Sequence, residues 1–265
     1  MEDKPRIWHF GLVAETWAEF STDTPELPFL KKQIDNYGQP VLDLACGTGR
    51  LLLPLMRAGT DIDGCDISGD MLGLLDEKAK GEGLSPKLYE QPMHELDLPR
   101  KYKTIYICGS FGLAGSRYLD QETLLRCLNH LEDGGALVFN IYLEYADTKS
   151  WKDWLKEHRE AMPEPWPEEG RRRTTSDGME YVTMSRMTNV DPLEQSYTRE
   201  MRVEKWRDGT LIAQEERTLR GQMHFRNEVE LMLKLVGFGK IEVHDYYTDE
   251  EATVDSGEIV LIAKR

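Results

Sequence analysis

Two carboxylates set around a run of small residues are the groups best placed to do chemistry in this chain. Asp43 sits in the apolar stretch Val41, Leu42, Leu44, which runs into Ala45, Cys46, Gly47, Thr48 and Gly49 before Arg50. The pattern predicts a strand buried on both faces, then a turn bare enough for a ligand to reach the backbone. The helix opening at Arg50 adds free N–H groups and a partial positive charge. This is a nucleotide-type binding turn. Asp66, in DIDGCDIS, closes the next predicted strand. An acidic residue about 20 positions on, at that strand end, is placed to take ribose hydroxyls.

The kind of nucleotide follows from the charges. A dinucleotide turn wants G-x-G-x-x-G, and here the third slot after Gly47 and Gly49 is Leu52. A carboxylate at Asp43 would repel a pyrophosphate, but it suits a ligand carrying an ammonium or sulfonium charge. S-adenosylmethionine has both and no phosphate.

The segments VLDLACGTGR, GCDISGDML, EQPMHELDLP and LEDGGALVFNI resemble, in order, the motifs of class I S-adenosylmethionine-dependent methyltransferases. The resemblance covers roughly residues 38–141 and resumes in RNEVELMLKLVGFGKIEV. Ala45 stands where the family has its first loop glycine, and Pro92 where members often carry an acidic residue. The resemblance implies an α/β fold: a Rossmann-like, seven-stranded, mostly parallel sheet with an antiparallel C-terminal hairpin. It implies S-adenosyl-L-methionine as cofactor and S-adenosyl-L-homocysteine as product. Cofactor contacts are expected at Asp43, Ala45, Gly47 and Gly49, at Asp66, Ile67 and Met71, at Met93 and His94 beside the adenine, and at Cys108 and Trp17.

The acceptor side is read from what lies beyond the strand ends. Gly109, Ser110, Phe111 and Gly112 follow the fourth strand and should border the transferred methyl group. The Asn/Asp-Pro-Pro-Tyr/Phe sequence of members acting on DNA bases or backbone amides is missing there. Acceptor contacts are expected at Trp8, Ser110, Phe111, Tyr142, Arg199 and His224. His224 and Tyr142 are the candidate catalytic residues, with His9, His94 and Glu144 as further candidate bases. Arg199 shares an apolar strand face with Tyr197, Met201 and Val203, so it should either pair with a neighbouring glutamate or receive an acidic group of the substrate.

These residues need positioning elements, and the pattern supplies them. Ser68 should cap a helix over 69–80. Strands are expected at 41–44, 61–65, 87–90, 104–108 and 136–143, with helices at 50–58 and 121–132, the latter capped by Asp120. Residues 144–220 are too long for a plain loop. The stretches 181–190, 195–206 and 211–220, separated by Asp191-Pro192 and Asp208-Gly209, read as an antiparallel meander. Arg171 to Arg173 reads as a solvated loop and His130 as structural. A last helix capped by Asn227 and ended by Gly237 precedes strands at 241–247 and 258–265. The expected organisation is therefore an N-terminal helical lid (1–40), a cofactor-binding core (41–143 and 221–265) and an inserted substrate-covering subdomain (144–220).

The totals narrow the function. At 265 residues with a net charge of −15 and pI near 4.9, the chain repels a phosphate backbone, which disfavours a nucleic-acid partner. Four cysteines without C-x-x-C spacing read as reduced, buried thiols of a cytoplasmic enzyme, not metal ligands. The charged start MEDKPRIWHF gives no sign of a signal peptide, and no apolar run approaches a membrane span. The expectation is a small-molecule N- or O-methyltransferase, with a homodimer possible. The alternatives are a methyltransferase acting on RNA or protein, and a cofactor-binding module without catalysis.

Overall fold

The computed structural model describes residues 7–265; the first six residues of the expected lid lie outside them. Eleven strands are described: β1 Val41–Leu44, β2 Ile62–Asp66, β3 Lys87–Glu90, β4 Tyr102–Ile107, β5 Leu131–Tyr142, β6 Arg171–Thr174, β7 Glu180–Asp191, β8 Ser196–Arg207, β9 Thr210–Gln222, β10 Ile241–Asp245 and β11 Glu258–Lys264. The helices are α1 Gly11–Phe20, α2 Leu27–Tyr37, α3 Leu52–Arg57, α4 Gly69–Gly81, α5 Arg117–His130, the short α6 Thr148–Trp151 and α7 Lys156–Arg159, and α8 Arg226–Val236.

The first sheet runs β10-β11-β5-β4-β1-β2-β3, and the second runs β6-β7-β8-β9. In the first, β1 through β5 pair in parallel, while β11 lies antiparallel between β5 and β10. That is the expected Rossmann-like arrangement, a mostly parallel sheet closed by an antiparallel pair. Alternation along the strands splits the core into two layers. Leu42, Leu44, Ile105, Ile107, Leu137 and Phe139 face α5 and α8. Val41, Ile62, Tyr106 and Val138 face α2, α3 and α4. Each fully buried aliphatic or aromatic side chain contributes about 1.5–3 kcal/mol, so the layers hold the strand ends rigidly in register.

The second sheet is antiparallel throughout. Its apolar face is closed by α1 and the segment before it, where Trp8, Leu12 and Val13 pack with Tyr181, Val203 and Leu219. Glu15 accepts from the Tyr181 hydroxyl at 2.8 Å and from Lys205 at 2.7 Å. The segment leading into α1 is tied to the first sheet as well. Ser68 Oγ donates to the His9 carbonyl, and the Gly11 N–H donates to Asp70 at 2.7 Å. Residues 8–17 are thus clamped between the two sheets. No helix among the described residues is long and apolar enough to cross a membrane.

Several boundaries differ from the sequence expectations. Ser116, not Asp120, caps α5, accepting from the Leu119 N–H; Asp120 lies inside the helix and is fully buried. Asn227 lies within α8, whose first turn is closed by Glu228 accepting from the Phe225 N–H. Arg171 to Thr174 form the edge strand β6 where a loop was expected.

Candidate functional site

The parallel strands end together at Leu44, Asp66, Glu90, Ile107 and Tyr142, and the antiparallel β11 starts at Glu258, directly across from Tyr142. A cleft of about 1600 Å³, counted to its open mouth, lies over these ends. Asp43, Ala45, Gly47, Asp66, Met71, Cys108 and Ser110 line it, with Trp17 above. A smaller, deeper pocket continues from it past Asp66 and Ile67 to Met93 and His94. The structure therefore brings together every expected cofactor contact except Gly49.

The turn after β1 has a demanding backbone. Ala45, Gly47 and Gly49 all have positive φ, at 66°, 54° and 78°. For Ala45 this left-handed conformation costs roughly 1–2 kcal/mol, a strain that a glycine there would not carry. A side chain at Gly47 would meet nothing within 4 Å, so this glycine leaves the cleft floor open. Gly49 faces the other way, onto Leu75 and Leu53; it packs the turn onto α3 and α4 and touches no cleft.

Two carboxylates stand over that turn. Asp66 accepts from the Gly47 N–H and from the Ser68 N–H, both at 2.8 Å. Burial raises its pKa while these two backbone bonds pull it down. Asp43 is almost wholly buried, and burial pushes its carboxyl up to about 7; the Tyr106 hydroxyl beside it pulls the value down and the Asp66 charge adds to the rise. The nearest cation, Arg50, lines the same cleft but is already paired. Arg50 is held at 2.6 and 2.9 Å by both oxygens of Glu26. His94 is buried, its Nδ1 has no hydrogen-bond partner, and desolvation lowers its pKa.

A second cleft opens beside the first, lined by Trp8, Trp17, Gly109, Tyr142, Glu144, Tyr197 and Arg199. Trp17, His9, Gly109 and Tyr142 border both clefts, so the two communicate at the end of β4. His9 packs edge-on to Trp17 at 5.1 Å, and burial lowers its pKa to about 4.

Two expected site residues lie elsewhere. Phe111 turns into the core, with its ring 4.7 Å from Phe139 and 5.0 Å from His224. His224 is 4% exposed and borders neither cleft. Arg117 donates to its Nδ1 at 2.7 Å, which leaves its Nε2–H to donate to Asp120 at 2.8 Å. With both ring nitrogens engaged it has no lone pair for a substrate proton. It is a tether between α5 and the start of α8, and not a base. His224→Ala is expected to cost about 2–4 kcal/mol of stability, because buried Asp120 loses its partner. Denaturant melts check this, and ligand affinity measured on the folded variant should be unchanged. His130 is likewise structural: Nε2 accepts from the Leu98 N–H at 3.0 Å, and Nδ1 lies 2.8 Å from the Arg126 carbonyl.

Other cleft residues carry no local sequence signal. Glu258 accepts a bond from Asn140, whose own oxygen accepts from the Gly109 N–H at 2.7 Å and from the Tyr247 hydroxyl at 3.1 Å. Burial raises Glu258 to about 7; the Asn140 bond opposes this and the Glu26 charge adds to it. Arg171 and Arg173 line the outer mouth of the larger cleft from β6.

Residues 41–135 match the family model described as a methyltransferase domain. A protein of Geobacillus sp. (strain WCH70), provisionally named a methyltransferase, is 28% identical over 122 residues, which is 44% of this chain and 49% of the relative. The chain spans about half the length of the curated relatives it matches. Among solved structures, a S-adenosylmethionine-dependent methyltransferase from Clostridium acetobutylicum superposes with a TM-score of 0.73 at 19% identity, over 95% of this chain and 96% of that one. The sugar N-methyltransferase KedS8 from Streptoalloteichus sp. gives 0.69 at 16% identity, over 93% and 89%. At these identities the structural likeness speaks for the fold.

Proposed function

We propose that this chain, a member of the class I S-adenosylmethionine-dependent methyltransferases, transfers a methyl group from S-adenosylmethionine to a nitrogen or oxygen atom of a small molecule. The observation that carries the reading is the charge pattern of the inner cleft. Asp43 and Asp66 flank an open glycine turn, while Arg50 is neutralised by Glu26. Such a floor repels a diphosphate and accepts a nucleoside with free hydroxyls and a fixed cation. The orphaned Nδ1 of His94, in the same pocket as Asp66 and Ile67, offers a hydrogen bond to a heterocyclic base. The residues present fit the cofactor on each of these counts.

Asp66 would hold the ribose, Asp43 the ammonium group, and Met93 with His94 the adenine. When bound, the cofactor supplies a sulfonium methyl group that needs no further activation. The protein is left to orient the acceptor, keep water out and accept a proton. Trp8, Trp17 and Tyr142 wall the second cleft and would fix the acceptor against Gly109. Tyr142 is 57% exposed at the cleft wall; as an ordinary phenol its hydroxyl is protonated at neutral pH and orients the acceptor by a hydrogen bond. The proton passes more readily to Glu258, one strand over, whose carboxyl is tuned to about 7. The small-molecule reading draws on the aromatic-walled second cleft and the acidic surface. It also draws on the likeness to KedS8, which acts on a sugar nitrogen.

The test combines titration calorimetry with S-adenosylmethionine and S-adenosylhomocysteine release against a panel of small amines and alcohols. Cofactor binding with release in the presence of at least one acceptor is expected. Glu258→Gln should then lower the rate roughly a hundredfold without weakening the cofactor. A protein that binds NAD and ignores S-adenosylmethionine would end the proposal.

A further inference from the structure

Most arginines on the inner strands of the second sheet are paired, which makes the one at its centre conspicuous; Arg171 and Arg173, which also lack an ion pair among the described residues, lie on the edge strand β6. Arg186 is bonded to Glu200, Arg202 to Glu216, Arg217 to Glu215 and Arg207 to Asp177. In the middle of the same sheet, Arg199 has neither an ion pair nor a hydrogen bond from its side chain among the described residues. Its one contact of this kind is with the Tyr197 ring, 5.5 Å from the guanidinium carbon. Its cross-strand neighbours are Met187 and Leu219, both buried and apolar. The guanidinium lines the second cleft beside Tyr142, Trp8 and Trp17. A chain with 48 acidic residues does not lack partners for an arginine. The nearest acids that feel its charge, Glu144 and Asp153, stand off without forming a bridge. A half-buried cation among apolar neighbours is costly unless something completes it.

We infer that Arg199 is the docking point for an anionic oxygen group of the methyl acceptor, a carboxylate or a phosphate ester, which lies at the Arg199 end of the second cleft while the methylated atom faces Gly109. The inference rests on the methyltransferase reading and adds the chemical class of the acceptor to it. A guanidinium presents a planar fork of donors that matches either anion, and the aromatic walls suit an apolar body between the two ends. Glu144, across the same cleft, would receive a hydroxyl or ammonium of the same molecule. It thereby disfavours acceptors carrying negative charge at both ends.

The experiment uses the full chain saturated with S-adenosylhomocysteine and titrated calorimetrically with benzoate, phenyl phosphate and benzyl alcohol. The wild type is expected to bind at least one of the two anions at least tenfold more tightly than the alcohol. Whichever anion binds better names the source of the charge. Arg199→Ala should lose that preference while its melting temperature and its affinity for S-adenosylhomocysteine stay unchanged, and Arg199→Lys should keep part of it. Equal binding of the three probes, no binding of either anion, or an anion preference that survives in Arg199→Ala would overturn the inference. Failure of the preliminary S-adenosylhomocysteine titration would instead count against the methyltransferase reading, so the two failures are separable.

Discussion

The Asp66→Ala variant is expected to bind S-adenosylmethionine roughly ten- to a hundredfold more weakly than the wild type, a loss of about 1.5–3 kcal/mol. Two effects combine. The ribose hydroxyls lose a charged acceptor, and the Gly47 and Ser68 N–H groups lose the carboxylate that now organises the turn. Asp66→Asn separates them, since its carbonyl oxygen still accepts one backbone bond while the charge is gone. An intermediate affinity is expected for it. Titration calorimetry on both variants is the measurement, and an Asp66→Ala protein with wild-type affinity would remove the ribose from this position.

The second large effect is on stability and comes from Gly49. A Cβ there would lie 2.7 Å from Leu75 Cγ and 3.2 Å from Leu53 Cγ, at a φ of +78°. The left-handed backbone costs an alanine roughly 1–2 kcal/mol, and crowding of the packed core adds about 1–3 kcal/mol. Gly49→Ala is therefore expected to lose about 2–5 kcal/mol, seen as a lower denaturation midpoint with an unchanged slope. Gly47→Ala is the control. It bears the same backbone penalty with open space around the added carbon, so it should be the milder change for stability and the harsher one for cofactor affinity. Equal destabilisation by the two would show that packing onto Leu75 does not matter.

The residues that could be read from the chain are those whose role is set by near neighbours. Asp43, Gly47 and Asp66 belong to one strand–turn–helix–strand unit, and Ser68 caps the following helix through its own Oγ at 3.2 Å from the Met71 N–H. The meander was legible because its strand-like stretches are separated by the turn residues Asp191-Pro192 and Asp208-Gly209. The edge strand β6 was not, since an edge position tolerates charge and its run of arginines shows no alternation. His224 misled for a different reason. Its place between insertion and core suggested exposure to substrate, yet Asp120 and Arg117, more than 100 positions away, claim both nitrogens. Glu258 had no local mark at all. It reaches the cleft only because β11 runs antiparallel to β5 and begins beside Tyr142.

The elevated pKa of Asp43 has a consequence for how the cleft would fill. Near neutral pH this carboxyl is held partly protonated by its burial. An ammonium group arriving beside it favours the carboxylate, so loading the donor would expel a fraction of a hydrogen ion into the buffer. To that extent the site trades one positive charge for another. Below about pH 6 nearly a whole hydrogen ion would have to leave, and occupancy should weaken with acidification in a way that an asparagine at the same position would abolish.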